Sequence, residues 1–112
     1  HHIEAWDNRD LDAIISDYQD ESILIVNGDI YRGLSEIRAA FARLFQIFDQ
    51  GVGQIDPITI DGRVVYISWT FAPSSAPTTY YGTDTFIVEE SKITIQTIGS
   101  PLYDRFPLKS TP

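Results

Sequence analysis

The order of its periodic segments is the feature that most constrains the fold of this chain. The first half contains stretches with apolar residues three and four positions apart, and the second half contains short β-branched and aromatic stretches separated by turn residues. The longest helical pattern consists of Leu34, Ile37, Phe41, Leu44, Phe45 and Phe48, with Gly51 placed to end it. Helices followed by strands predict an α+β domain in which three helices pack on one face of a strongly curved antiparallel sheet.

Two shorter helices are predicted before the long one. Ile3 and Trp6 share one face of the first, and the second begins after an N-cap residue, Asp10, and continues to Tyr18. The remaining segments are read as strands joined by turns, and they are "SILIV", "IYRG", "QIDPITI", "RVVYISWTF", "YYGTDTFIVE" and "KITIQTIGS". The tail after Pro101 is predicted to run over the surface or over a partner chain.

Composition limits the classes of function. The 112 residues suffice for a single domain, 1–112, and they include no Cys, which excludes disulfides, thiolate metal sites and a Cys nucleophile. A net charge of −8 with scattered bases argues against nucleic acid as a partner. No apolar run approaches the roughly 20 residues of a membrane span, so we expect no membrane insertion and a soluble, cytoplasmic protein.

The acidic residues of the first helices lack the spacing of a calcium loop, and no metal is predicted. His1 and His2 are either the end of an affinity tag or native residues of a helix, and neither is taken as catalytic.

One acidic residue is predicted on the apolar, inward face of its strand. In "RVVYISWTF" the apolar set Val65, Ile67, Trp69 and Phe71 alternates with a more polar set and is assigned inward. The same alternation in the next strand places Asp84 inward with Phe86 and Val88. A carboxyl group among large apolar residues is either part of a site or a buried acid satisfied by donors such as Trp6, Tyr81 or Gln96.

The outward face of these strands carries few charges. Its residues include Tyr66, Thr70, Thr85, Ile87 and Thr94 or its neighbours. A second face of this kind predicts a homodimer through the outer sheet. The alternative is a solvent face rich in Thr, since Thr favours strands in any case.

The order of elements, together with "NRDLDAIISDYQDESILIV", "YRGLSEIRAAF" and "YGTDTFIVEESKITIQT", resembles the nuclear transport factor two-like superfamily, and within it the SnoaL-like and ketosteroid-isomerase-like branch. The resemblance covers nearly the whole chain. It implies a cone of three helices and a bent sheet, a cystatin-like roll, around an internal pocket, in a dimer made through the outer sheet faces.

The resemblance also implies a position for a catalytic acid. Asp84 falls where the isomerase branch has a protonated Asp in a late strand, and SnoaL-like cyclases use an Asp in the pocket as acid and base. The isomerase's base after the first strand corresponds to Val26 or Asn27 here, and its Tyr donor to Ile3 or a neighbour. These departures argue against ketosteroid isomerisation.

Several further residues are candidates for the pocket. Asp29 and Tyr31 lie near its predicted mouth, and Gln96 faces either the pocket or the outside. The aromatic and apolar residues that could line a cavity for a flat ligand are Trp6, Val26, Phe45, Trp69 and Phe86, although inward aromatic residues are more often simply core.

Two functions follow as alternatives. The first is a pocket that binds a small apolar organic molecule, with Asp84 as the acid or base of a proton transfer that needs no cofactor, such as isomerisation, cyclisation or dehydration. The second is a non-catalytic binding or assembly module in which Asp84 ties the sheet to the first helix.

Overall fold

The computed structural model describes residues 2–109, which form four helices and one curved sheet. The helices are α1 (His2–Asp7), α2 (Leu11–Ile15), α3 (Gly33–Phe48) and α4 (Leu102–Arg105). The strands are β1 (Tyr18–Val26), β2 (Asp29–Arg32), β3 (Gly51–Ile55), β4 (Thr59–Asp61), β5 (Val64–Pro73), β6 (Tyr80–Glu89) and β7 (Lys92–Gly99). The α+β class with helices on a curved sheet is therefore confirmed.

The sheet is mixed, and this corrects the prediction of an antiparallel one. Its order is β2-β1-β7-β6-β5-β3, with β4 also paired to β5. All neighbours are antiparallel except β1 and β7, which run parallel. Parallel neighbours need a long connection, and here α3 and five strands lie between the two. The sequence pattern could not show which distant strands become neighbours.

Helix α3 supplies much of the core. Its buried face consists of Ile37, Ala40, Phe41, Leu44, Phe45 and Ile47, at the three and four residue spacing predicted from the sequence. The helix ends at Phe48 with Asp49 as its C-cap, whereas Gly51, which the sequence pattern assigned to the helix end, begins β3. Of the inward positions predicted in β5, Ile67, Trp69 and Phe71 are buried and Val65 is half-buried, while Tyr66 on the other face is exposed.

Three boundaries differ from the sequence-based prediction. Helix α2 ends at Ile15, and Tyr18 already belongs to β1, because its ring is buried under α3 against Phe41. The predicted strand "QIDPITI" is divided into β3 and β4 around Pro57, which has no N–H for the ladder. The tail is not purely a surface segment: up to Lys109 it contains α4, with Leu102 and Tyr103 buried.

None of the helices within residues 2–109 is long and apolar enough to cross a bilayer. His1 and residues 110–112 lie outside the described part of the chain.

Candidate functional site

A cavity of about 700 Å³ lies between the helices and the inner face of the sheet. This is within the size range of pockets that bind small organic molecules. Most of the wall is apolar, and its larger apolar side chains include Ile3, Trp6, Phe41, Leu44, Phe48, Ile67, Trp69, Phe86 and Ile98. The polar groups of the wall include His2, Asp7, Arg9, Asp17, Asp84, Gln96 and Tyr103.

Asp84 lies on the inner face of β6 and is 8% exposed. Trp69 Nε1 donates to its Oδ1 at 2.9 Å, and Gln96 Nε2 donates to its Oδ2 at 3.0 Å. Burial raises the pKa of Asp84 from 3.8 to about 6, against the opposing effect of the two hydrogen bonds. The surroundings thus favour the neutral form, but at pH 7 the group is mainly a carboxylate that can take up a proton.

The indole of Trp69 fits beside Asp84 because a glycine lies directly opposite on the next strand. Trp69 and Gly82 are partners in the β5–β6 ladder, and a Cβ built on Gly82 would lie 2.1 Å from the indole Cζ2. The indole also makes edge contacts with the rings of Phe48 and Tyr103. The absence of a side chain at Gly82 therefore lets the indole lie across β6 while its N–H binds the carboxylate.

Gln96 connects Asp84 to the first strand. It is 1% exposed, and while its amide nitrogen donates to Asp84, its Oε1 accepts a hydrogen bond from the hydroxyl of Tyr18 on β1. Simple alternation left the direction of Gln96 open. The register between β6 and β7 shifts at Ile87, so that Thr94 is an extra residue in β7 and Gln96 faces inward.

His2 and Asp17 form a second polar pair on the cavity wall, with 2.9 Å between Nδ1 and Oδ2. Because a carboxylate only accepts, Nδ1 carries the proton. Burial lowers the pKa of His2 from 6.5, and the bond to Asp17 opposes this shift. The imidazole, which also contacts the rings of Phe41 and Phe86, is therefore mainly neutral at pH 7.

Tyr103 on α4 closes another part of the wall. Its side chain is 6% exposed, and its ring centre lies 6.1 Å from that of Trp69. Burial raises the pKa of the Tyr103 hydroxyl well above its usual value, and the negative charge of Asp84 raises it further. Tyr103 is therefore a protonated hydroxyl close to the Trp69–Asp84 pair.

The structure brings together five of the eight residues selected from the sequence. Asp84, Trp6, Trp69, Phe86 and Gln96 all line the cavity. The other three are buried in the core but are not among its lining residues, and they are Val26, Tyr31 and Phe45. Val26 and Tyr31 lie on β1 and β2, at one end of the sheet, and Phe45 lies on the buried face of α3.

Of the three donors considered for Asp84, only Gln96 binds it. The second partner is Trp69, in place of Trp6 or Tyr81. Tyr81 points outward and is 63% exposed, as alternation along β6 requires. Trp6 lines the cavity, its ring contacts that of Phe45 at a steep angle, and the Arg9 guanidinium lies over it.

Sequence reasoning missed His2, Asp17 and Tyr103. His2 and Tyr103 lie near opposite ends of the sequence and were set aside with their flanking residues. No local sequence pattern marks these three residues, since the glycine at position 82 indicates a close approach to the backbone by Trp69 and not by any of them. Within residues 2–109 there is no group of three His, Cys, Asp or Glu side chains arranged to hold a metal ion.

Comparisons with known proteins agree with this architecture. The chain is similar in structure to a protein from Kribbella flavida, with a TM-score of 0.79, 14% identity, and coverage of 93% of this chain and 85% of the other. A protein from Sinorhizobium meliloti that is provisionally named a polyketide cyclase has a TM-score of 0.71 and 17% identity, and the match covers 87% of this chain and 88% of the other. A de novo designed protein with a curved β-sheet has a TM-score of 0.75 and 15% identity, and the match covers 92% of this chain and 85% of the other.

At these sequence identities the similarity shows the fold alone. None of the curated protein sequences matches the chain. The family model described as the SnoaL-like domain does match, over residues 1–96, which is most of the sequence. The chain therefore belongs to the SnoaL-like family.

Proposed function

We propose that this protein binds an uncharged, largely apolar organic molecule in its cavity and transfers a proton on it, with Asp84 as the base. The observation that carries the proposal is Asp84 itself. It lines an apolar cavity, and burial brings its pKa to about 6. A carboxylate with such a pKa is a stronger base than an exposed one and is still ionised at neutral pH.

The hydrogen bonds of Asp84 favour the role of base over that of donor. Both oxygens accept from N–H groups, of Trp69 and Gln96, which hold the carboxylate in one orientation. Each carboxylate oxygen has a further lone pair, so a substrate proton can still be accepted. Isomerisation, cyclisation and dehydration each require such a transfer and need no cofactor.

The charges around the cavity support an uncharged ligand. Asp7, Asp17 and Asp84 line the wall, whereas the guanidinium of Arg9 is already paired with Asp49 at 2.9 Å. An anionic ligand would lose its hydration and meet an excess of negative charge. The similar protein from Sinorhizobium meliloti is provisionally named a polyketide cyclase, which is compatible with an organic substrate in this cavity.

The alternative function is ligand binding or assembly without catalysis. Asp84 links three adjacent strands through Trp69 on β5 and Gln96 on β7, which is also what a purely structural acid would do. The expected link from Asp84 to the first helix is replaced by this link within the sheet.

A neutral bicyclic ketone, 2-tetralone, distinguishes the two functions. Its C1 protons are acidic, and their replacement by deuterium in D₂O is followed by proton NMR. We expect the protein to accelerate this exchange over buffer and Asp84→Asn to lower the acceleration at least about 10²-fold, because the base is lost. Asp61→Asn, which removes an exposed carboxylate, is the matched control. Equal exchange with Asp84→Asn and the unaltered protein would support the non-catalytic alternative.

We further propose that the outer sheet face joins two copies of the chain. Val64, Ile87 and Ile95 lie side by side on three neighbouring strands, and both Val64 and Ile95 are exposed. An uncharged strip of this kind fits a symmetric partner face.

Sedimentation at micromolar concentration tests the dimer. We expect a dimer for the unaltered chain and a monomer for Ile95→Glu, because two buried carboxylates would face each other. Ile60→Glu, at an exposed position outside the strip, should leave the dimer intact. A monomeric unaltered chain would refute the proposal. The cytoplasmic location and the absence of nucleic-acid and membrane partners stay predictions.

A further inference from the structure

Tyr18 is a buried tyrosine whose hydroxyl binds the side chain that holds Asp84. It is 3% exposed, and within residues 2–109 its hydroxyl makes one hydrogen bond, to Oε1 of Gln96. Gln96 is 1% exposed, and its Nε2 donates to Oδ2 of Asp84 at 3.0 Å. Tyr18 is not among the residues that line the cavity, so its hydroxyl is linked to the acid through Gln96.

The strand that carries Tyr18 is irregular directly after it. Five positions of β1, from Tyr18 to Ile23, match only two positions of β7. The extra length is held by Ser22, whose buried Oγ accepts from the N–H of Gln19 at 2.9 Å and donates to the carbonyl of Ile93 at 2.6 Å. Irregularities of this kind, like β-bulges, re-aim side chains and are common next to functional sites.

The strand that carries Gln96 is irregular at the same level. The register shift between β6 and β7 leaves Thr94 as an extra residue and turns Gln96 inward, between Asp84 and Tyr18. Two separate irregularities therefore meet at one hydrogen-bonded chain from Tyr18 to Asp84. Both place a polar side chain in the interior, where each needs the other as a partner.

The Gln96 amide has two orientations of nearly the same shape but different chemistry. In the observed one, Nε2 donates to the Asp84 carboxylate. If the amide turned over, Oε1 would face the carboxylate, and two acceptors would repel each other unless Asp84 held a proton to donate. The orientation of this amide therefore decides which form of Asp84 is favoured.

The Tyr18 hydroxyl favours the observed orientation. If the amide turned over, the hydroxyl oxygen could accept from Nε2, but its proton would lose the acceptor that it has in the described part of the chain. A buried donor without an acceptor is unfavourable. Burial, followed by the charges of Asp84 and Asp17, raises the pKa of Tyr18 well above its usual value. Tyr18 is therefore a donor at every pH at which Asp84 titrates.

We propose that Tyr18 is a positioning residue of the site: by holding the Gln96 amide with its N–H toward Asp84, it keeps Asp84 available as the base. For its effect on catalysis, this inference rests on the proposed function. The arrangement also affects the proton that Asp84 takes up. Trp69 and Gln96 both present N–H groups to the carboxylate, so neither captures this proton, and it stays available for return to the bound molecule.

The test uses variants that leave the charges around Asp84 unaltered. Asp84 raises the pKa of Tyr103 on α4, and the other ionisable groups of the cavity wall are His2, Asp7, Arg9 and Asp17. The variants Tyr18→Phe and Gln96→Leu change none of these. Tyr31→Phe is the matched control, because it also removes a buried hydroxyl, one that makes no hydrogen bond with residues 2–109.

Carbon-13 NMR of the side-chain carboxyl groups measures the pKa of Asp84 directly, and the resonance that Asp84→Asn removes identifies it. We expect the pKa to rise from about 6 to about 7 in Tyr18→Phe, because weakening one hydrogen bond to the charged form changes the protonation equilibrium about tenfold. Tyr31→Phe should leave it unchanged. If the pKa in Tyr18→Phe equals that of the unaltered protein, the inference is wrong.

A double-variant cycle shows whether Tyr18 acts through Gln96. Gln96→Leu removes the donor to the carboxylate and should raise the pKa of Asp84 at least as much as Tyr18→Phe does. Adding Tyr18→Phe to Gln96→Leu should raise it no further. A further rise as large as that in Tyr18→Phe alone would show that the hydroxyl acts on Asp84 by another route, and the proposed positioning would be refuted.

The deuterium exchange of 2-tetralone gives a second readout. At pH 6 we expect Tyr18→Phe to catalyse exchange about fivefold more slowly, since about a tenth of Asp84 is then ionised in place of about half. At pH 8 the carboxylate is almost fully ionised in both proteins, and the rates should differ less than about twofold. Slowing by the same factor at both pH values would indicate a general structural effect and contradict the inference.

The measurements separate failure of this inference from failure of the proposed function. If Asp84→Asn slows exchange while Tyr18→Phe leaves the pKa of Asp84 unchanged, the role of Tyr18 is overturned and the proposed function stands. If Asp84→Asn does not slow exchange, proton transfer by Asp84 fails. The carbon-13 titration, which needs no substrate, then still decides whether Tyr18 positions the carboxylate.

Discussion

Gly82→Ala is expected to lower the free energy of unfolding by about 4 kcal/mol, because the new methyl group would occupy space that the indole of Trp69 fills. The added Cβ would lie 2.1 Å from Cζ2, 2.4 Å from Cε2 and 2.5 Å from Cη2. Moving the indole aside would cost free energy. It is packed against Phe48 and Tyr103, and any displacement breaks its hydrogen bond to the Asp84 carboxylate.

Urea unfolding followed by circular dichroism measures this effect. Gly99→Ala is the matched control, because Gly99 also lies in a strand and an added Cβ there meets nothing within 4 Å. We expect the double variant Gly82→Ala, Trp69→Phe to lose much less than the sum of its two single variants, since the smaller ring removes the clash. A loss of less than 1 kcal/mol for Gly82→Ala, no greater than that of Gly99→Ala, would contradict the packing described.

The second large effect is a dependence of stability on pH that Asp84 introduces. Its pKa is about 6 in the folded protein and 3.8 when unperturbed. Between these values the folded state holds a proton that the unfolded state has lost, so the stability falls as the pH rises. A pKa difference of this size corresponds to about 3 kcal/mol of unfolding free energy. The protein loses this stability progressively as the pH rises from 4 to 6, and it keeps all of it below pH 4.

Asp84→Asn removes this titration and should leave the fold intact. Asn can still accept from Trp69 Nε1 through its oxygen, while its NH₂ group faces Gln96. If the Gln96 amide turns over, its oxygen accepts from Asn and its nitrogen donates to the Tyr18 hydroxyl, so that every group keeps a partner.

Unfolding free energies of the two proteins, measured in urea from pH 3.5 to 7.5, provide the test. We expect the stability of Asp84→Asn relative to the unaltered protein to increase by about 3 kcal/mol across this range. Asp61→Asn again controls for the loss of one carboxylate from the surface. A relative stability that does not change with pH would show that burial does not raise the pKa of Asp84.

Local patterns in the sequence were sufficient for much of the fold and for the central residue of the site. Alternation along β5 and β6 is a local property of extended chain, so it placed Trp69, Asp84 and Phe86 on the inner face without any tertiary information. The helical spacing in α3 predicted its buried face for the same reason. Gln96 could not be assigned in this way, because the register shift beside Thr94 changes the alternation.

The rest of the site depends on contacts between distant parts of the chain. His2 reaches the cavity through its bond to Asp17, and Tyr103 through the anchoring of α4 by Asn27. Neither contact has a signature in the local sequence. Val26, Tyr31 and Phe45 were predicted to line the pocket, but they are buried in the core outside the cavity wall, because a burial pattern does not distinguish the wall of a cavity from the filled core.

The parallel pairing of β1 with β7 has a consequence for how the chain folds. The hairpins β5–β6 and β6–β7 join neighbouring segments, whereas the bond from Tyr18 to Gln96 closes a separation of 78 residues. Closing a long loop costs entropy before its contacts compensate, so we expect the C-terminal meander to form early and β1 to join it late. Asp84 would then stay in contact with water during most of folding and lose its hydration only when β1 joins the sheet.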